Sequence, residues 1–156
     1  MSDRIYTDTS VIGGCEDDEF RVPSRRLLDA FVRGDLRLVL SELTLRELET
    51  APAAVREVLR AVPDGHVEFL RLTAPAAELA QRYLAERVLG PGMLADAEHI
   101  AMASVARVDV LVSWNFRHIV NLDRIRGFNA VNLRAGYPLM EIRSPLEVWK
   151  DDDEDL

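Results

Sequence analysis

Apolar residues recur along this chain with two different periods, and the way those periods take turns predicts the fold. Five short β-prone runs stand out: 4–8 (Arg4-Ile5-Tyr6-Thr7-Asp8), 36–41, 67–72, 108–113 and, at a sheet edge, 139–142. Residues 24–33, 44–50, 53–61, 75–88 and 94–106 instead carry apolar positions at helical spacing. Strands that alternate with helices imply βαβ units, hence a three-layer α/β/α fold around a mostly parallel sheet of about five strands. In such sheets ligands sit at the carboxyl ends of the strands. Near the end, Ser144-Pro145-Leu146-Glu147 has the hydroxyl, first-turn proline and third-position glutamate of a capping box, which predicts a short helix.

Length and composition narrow the class. With 156 residues, 48% of them apolar and 29% charged, the chain suits one globular domain with its own core. Residues 1–149 are expected to form that domain and 150–156 a disordered acidic tail. No run of about 18 apolar residues is present, and Met1-Ser2-Asp3-Arg4-Ile5 lacks the order of a secretory signal, so a cytoplasmic location without a membrane span is expected. The single cysteine, Cys15, provides neither an internal disulfide nor a cysteine zinc site.

A formal charge of −8 argues at first against nucleic acid. Setting aside the five acids at 151–155 and the four at 16–19 leaves a body of +1. The cations of that body are all arginine, since the sole lysine is Lys150, and arginine suits forked contact with phosphate.

Three acids fall near one end of the predicted sheet. Asp8 closes the first strand, Glu47 lies six residues past the second strand's last residue, Ser41, and Asp96 sits in the first turn of a helix. Each has an ordinary explanation. An aspartate after a strand commonly serves a turn, Thr44-x-x-Glu47 matches a capping box, and a first-turn aspartate complements the helix dipole. Together they make an all-oxygen cluster, which would repel itself without a cation and suits Mg²⁺ or Mn²⁺.

At these segments the chain resembles the PIN domains. Tyr6-Thr7-Asp8-Thr9-Ser10-Val11-Ile12, Ser41-Glu42-Leu43-Thr44-Leu45-Arg46-Glu47, Leu94-Ala95-Asp96-Ala97-Glu98-His99-Ile100-Ala101 and Leu111-Val112-Ser113-Trp114-Asn115-Phe116-Arg117-His118-Ile119 look like the successive motifs of that family, in its order. The likeness is nearest to stand-alone ribonucleases of the VapC-like type II toxin class. It implies a PIN-like fold and hydrolysis of RNA phosphodiester bonds by a Mg²⁺- or Mn²⁺-dependent endoribonuclease. It further implies a homodimer restrained by an antitoxin. By the same resemblance Asp8, Glu47 and Asp96 match the metal-binding and catalytic acids, and Ser10, with Ser113, supports the first of them. Asn115 stands where many members have an aspartate. Its amide accepts hydrogen bonds without carrying charge, which implies a weaker second metal and a water-positioning role.

The alternative is a PIN-like module that binds RNA or protein without catalysis. A nucleotide-binding or kinase-like α/β domain would need a phosphate loop, G-x-G-x-x-G or G-K-[ST], and neither is present. A phosphoacceptor domain would need a lysine late in the sheet, and Lys150 beside an acidic tail is a poor candidate. His99, three residues after Asp96, reads as a hydrogen-bonding or packing histidine, and Trp114, Phe116 and Tyr137 read as core aromatics. His118 and Arg117 stand equally well as phosphate contacts or as solvated surface.

Overall fold

The computed structural model describes residues 2–148. Its sheet has five strands, β1 (Arg4–Thr7), β2 (Arg37–Ser41), β3 (Val67–Leu70), β4 (Val110–Val112) and β5 (Ile142–Arg143), and seven helices connect or follow them. These are α1 (Thr9–Gly14), α2 (Arg21–Arg33), α3 (Glu42–Leu48), α4 (Ala53–Arg60), α5 (Ala74–Ala85), α6 (Leu94–Val105) and α7 (Leu122–Ala135). The strands run in the order β3-β2-β1-β4-β5, and all four pairings are parallel. The expected three-layer α/β architecture is therefore the observed one.

Alternation along the strands separates two cores. Tyr6, Val39 and Leu111 pack on one face with residues of α5, α6 and α7. Ile5, Leu38, Leu40 and Val112 pack on the other with residues of α1 and α2. Central parallel strands are covered on both sides, which explains why β1 and β2 are buried almost from end to end.

Strand order also fixes where chemistry is possible. The chain leaves β1 to build β2 and β3 on one side, then returns to build β4 and β5 on the other. The connections diverge between β1 and β4, the switch point at whose carboxyl ends such folds bind ligands.

Several elements depart from the sequence expectation. Helix α1, composed of Thr-Ser-Val-Ile-Gly-Gly, has low intrinsic helix preference and is held by burial of Val11 and Ile12. Helix α7 was not anticipated, because its core face is interrupted by polar and glycine positions. Its ends are sharply defined nonetheless: Asn121 caps the N-terminus by accepting from the backbone N–H groups of Asp123 and Arg124, and Gly136 ends it at φ 87°. The edge strand lies at Ile142–Arg143 rather than 139–142. The capping box at Ser144 does not form: Pro145–Glu147 is a 3-10 turn without a side-chain cap, and Glu147 pairs with Arg143.

The acidic tail expected at 150–156, together with Trp149, lies outside the described residues. Among the described residues no helix is long and apolar enough to cross a membrane. Cys15 is a buried free thiol in the core beside α2, and burial pushes it up to about 11.

Candidate functional site

Asp8 is the residue on which β1 ends and α1 begins. Its side chain does not cap the helix, although its position permits it. Instead Oδ1 accepts from Ser10 Oγ at 2.6 Å and Oδ2 accepts from Ser113 Oγ at 2.6 Å. Both hydroxyls are themselves held. Ser10 Oγ accepts from the Trp114 backbone N–H at 2.9 Å, and Ser113 Oγ accepts from that of Asn115 at 2.9 Å. The turn after β1 and the turn after β4 are thus joined through one carboxylate, only 5% exposed.

Burial pushes Asp8 up from its ordinary value, while the His99 ring and the hydrogen bonds from Ser10, Ser113 and the Val11 amide draw it back without cancelling the rise. A buried carboxylate with a raised pKa at a strand end is a marked chemical feature.

Asp96 is placed by the first turn of α6 and is half-buried. Among the described residues no donor reaches its carboxylate. Burial raises it, the His99 and His118 rings lower it, and the charges of Asp8 and Glu47 raise it again. The last contribution is informative. Asp8 and Glu47 both lie within Coulombic reach of Asp96.

Glu47 holds the third position, but the capping reading for it fails. Ser41 caps α3, its Oγ accepting from the Thr44 N–H at 3.2 Å, so Thr44 is already inside the helix. Glu47 Oε1 accepts from Thr9 Oγ1 at 2.7 Å and from His99 Nε2 at 2.7 Å. Burial alone would raise Glu47. The bonds from His99 and Thr9, with the charges of His99 and Arg46, outweigh it and hold the carboxyl below its ordinary value.

Asn115 lies in the same turn, with its oxygen engaged locally: Oδ1 accepts from the His118 backbone N–H at 2.9 Å. Its structural task is to shape the loop after β4. His118 brings a buried ring nitrogen, Nδ1, that has no hydrogen-bond partner among the described residues. Trp114 is core, as expected, donating from its indole to Ser24 Oγ at 2.8 Å and stacking on Phe20, whereas Phe116 is exposed.

His99, Tyr6 and Thr9 were not singled out from sequence as site residues. The signals were positional. Tyr6 is two residues before Asp8 on β1, and His99 is one helical turn after Asp96.

Among the described residues no three His, Cys, Asp or Glu side chains are grouped as a ready-made metal cage. That is compatible with Mg²⁺ or Mn²⁺, hard ions commonly held by one or two carboxylates with water and substrate phosphate completing the shell. Asp8 and Asp96 would be such a pair, with Glu47 within Coulombic reach of Asp96. The donor set is all oxygen and fits that chemistry.

No protein-family model matches the chain, and no curated protein matches it significantly. Solved structures do match. VapBC2 from Rickettsia felis, bound to a DNA fragment from its promoter, superimposes with a TM-score of 0.58 at 13% identity, over 90% of this chain and 98% of that one. A toxin-antitoxin complex from Klebsiella pneumoniae gives 0.55 at 19% identity, over 73% and 88%. VapC20 from Mycobacterium tuberculosis, a sarcin-ricin loop cleaving toxin, gives 0.55 at 17% identity, over 73% and 92%. The chain has the fold of the VapC-like PIN-domain toxins.

Proposed function

We propose that this protein is a divalent-metal-dependent endoribonuclease of the toxin type, cutting RNA in the crevice between the ends of β1 and β4. The observation that carries the reading is the acid pair: Asp8, buried and clamped by two serine hydroxyls, beside Asp96, whose carboxylate no described residue satisfies. Such a pair is electrostatically incomplete without a cation.

Asp8 and Asp96 would hold Mg²⁺ or Mn²⁺, with Glu47 as a further ligand or as an acceptor toward a water in the crevice. The bound ion would supply charge neutralisation at the scissile phosphate and a more acidic water. The chain's own residues do the rest. Ser10 and Ser113 fix both oxygens of Asp8. Thr9 and His99 keep Glu47 ionised and oriented, so that Oε2, which accepts no hydrogen bond from the described residues, can take a proton from water. Asn115 shapes the β4 turn that borders the crevice.

Fold similarity to a sarcin-ricin loop cleaving toxin supports RNA as the substrate, and similarity to toxin-antitoxin complexes supports an antitoxin partner. A homodimer and a cytoplasmic location belong to the same reading. Asn115, neutral and with its oxygen already bonded, favours the second reading of a non-catalytic binding module.

The test is Mn²⁺ titration by calorimetry together with an RNA-cleavage assay on wild type, Asp8→Asn and Asp96→Asn. Binding and cleavage by the wild type, both lost in the variants, are expected. Equal behaviour of all three proteins would sink the nuclease reading in favour of the binding module.

A further inference from the structure

One side chain outside the acid set touches the elements that carry all three acids. His99 sits on α6, three residues beyond Asp96. Its Nδ1 meets the hydroxyl of Tyr6 at 2.6 Å, two residues before Asp8 on β1, and its Nε2 meets Glu47 Oε1 on α3 at 2.7 Å. The run continues inward, for Tyr6 OH also bonds Ser41 Oγ at 2.7 Å, and Ser41 is the cap of the helix that bears Glu47. Ser41 and Tyr6 are fully buried and His99 is 3% exposed, while Glu47 opens to solvent.

The hydrogen positions follow from the acceptors. Glu47 is ionised and donates nothing, so Nε2 carries the hydrogen. Nδ1 faces the Tyr6 hydroxyl, which in turn meets Ser41 Oγ, so the buried run leads unbroken from the Ser41 cap outward to Glu47. A histidine needed only to fill space would not require a tyrosine to orient its ring. Nor would it end on a carboxylate at the mouth of the crevice.

We infer that His99 is a positioning residue: oriented by Tyr6, it holds the Glu47 carboxylate in place beside the Asp8 and Asp96 pair, so that the third acid is arranged before any ion or substrate arrives. The inference deepens the nuclease reading and rests on it. Partners that orient metal-site carboxylates are typically worth about 10- to 100-fold in metal affinity.

The experiment has two arms. In the metal-free protein, long-range ¹⁵N NMR of the imidazole is expected to show a protonated Nε2 for His99, with the ring resonances shifted in Tyr6→Phe and in Glu47→Ala. A spectrum with the hydrogen on Nδ1 alone would overturn the inference whatever the protein's activity. In the second arm Mn²⁺ affinity is measured for His99→Leu, His99→Gln, Glu47→Ala and the double variant His99→Leu/Glu47→Ala.

The expected result is a loss of about 10- to 100-fold for His99→Leu, substantial recovery in His99→Gln, whose amide can replace the Nε2 donor, and no additional loss from His99→Leu once Glu47 is alanine. Fully additive losses, or wild-type affinity in a folded His99→Leu, would overturn it while leaving the nuclease reading intact. Absence of Mn²⁺ binding by the wild type overturns both. If the leucine variant does not fold, Tyr6→Phe decides: it deletes one hydroxyl and is expected to weaken Mn²⁺ binding, and unchanged affinity there counts against the inference.

Discussion

Ser113 donates to Asp8 Oδ2 at 2.6 Å across a sequence separation of 105 residues, and this contact ties the end of β4 to the end of β1. Ser113→Ala removes that donor and also the acceptor for the Asn115 amide. The variant is expected to lose about 1–3 kcal/mol of stability and at least roughly tenfold in RNA cleavage, measured by urea unfolding and by turnover on a model RNA. Wild-type values for both would show that the contact is dispensable.

Asp96 offers a test in which stability and activity move oppositely. Its folded-state pKa lies above the ordinary 3.8, chiefly through burial and the neighbouring acids. The folded chain therefore holds this proton more tightly than the unfolded chain does, and stability falls as pH rises from 3.8 through the raised value, then levels off. Asp96→Asn removes that penalty. In the presence of EDTA the variant is expected to match the wild type at pH values below 3.8 and to unfold about 2–4 °C higher at neutral pH for each kcal/mol relieved, while cleaving no RNA. A lower melting temperature at neutral pH would contradict this account of the acid pair.

Packing beneath the site is tested at Gly14. A Cβ built there would stand 2.5 Å from Ser24 Oγ and 2.9 Å from Trp114 Nε1, the two atoms of the indole hydrogen bond. Gly14→Ala is expected to cost about 1–3 kcal/mol through overpacking, with a change in Trp114 fluorescence. Ser24→Ala in the same background removes one clashing atom and is expected to recover part of the loss.

The opposite core has a buried polar junction at Asn132. Its Oδ1 accepts from Tyr83, and its amide donates to Ser104 Oγ at 2.9 Å and to the Pro138 carbonyl at 3.2 Å, joining α5, α6 and α7. Asn132→Ala leaves several of these groups unmatched and is expected to destabilise by at least about 2 kcal/mol, without altering Mn²⁺ affinity. A matching drop in metal affinity would mean that the two cores are coupled.

Much of this was legible before any coordinates. Asp8 could be placed because a short β-prone run closes on it, and Asp96 because it falls in the first turn of a segment with apolar positions at helical spacing. Glu47 was harder. The string Thr44-x-x-Glu47 fits a capping box, and only the location of the true cap at Ser41 shows that the glutamate is free for another partner. That partner, His99, depends on contacts between α3, β1 and α6, which a local pattern does not encode. Helix α7 was lost for a different reason: Gly127 and the asparagines at 129 and 132 blur its apolar face, although Gly127 lies under Val88 and Asn132 is buried as a polar hub.

The serine clamp has one more consequence. Because the Trp114 and Asn115 amides are protected by hydroxyls that simultaneously grip Asp8, rather than by a neighbouring strand, their hydrogen-exchange rates report directly on how tightly that grip is maintained. Two backbone protons in the turn after β4 thereby become a built-in gauge of the hold on Asp8.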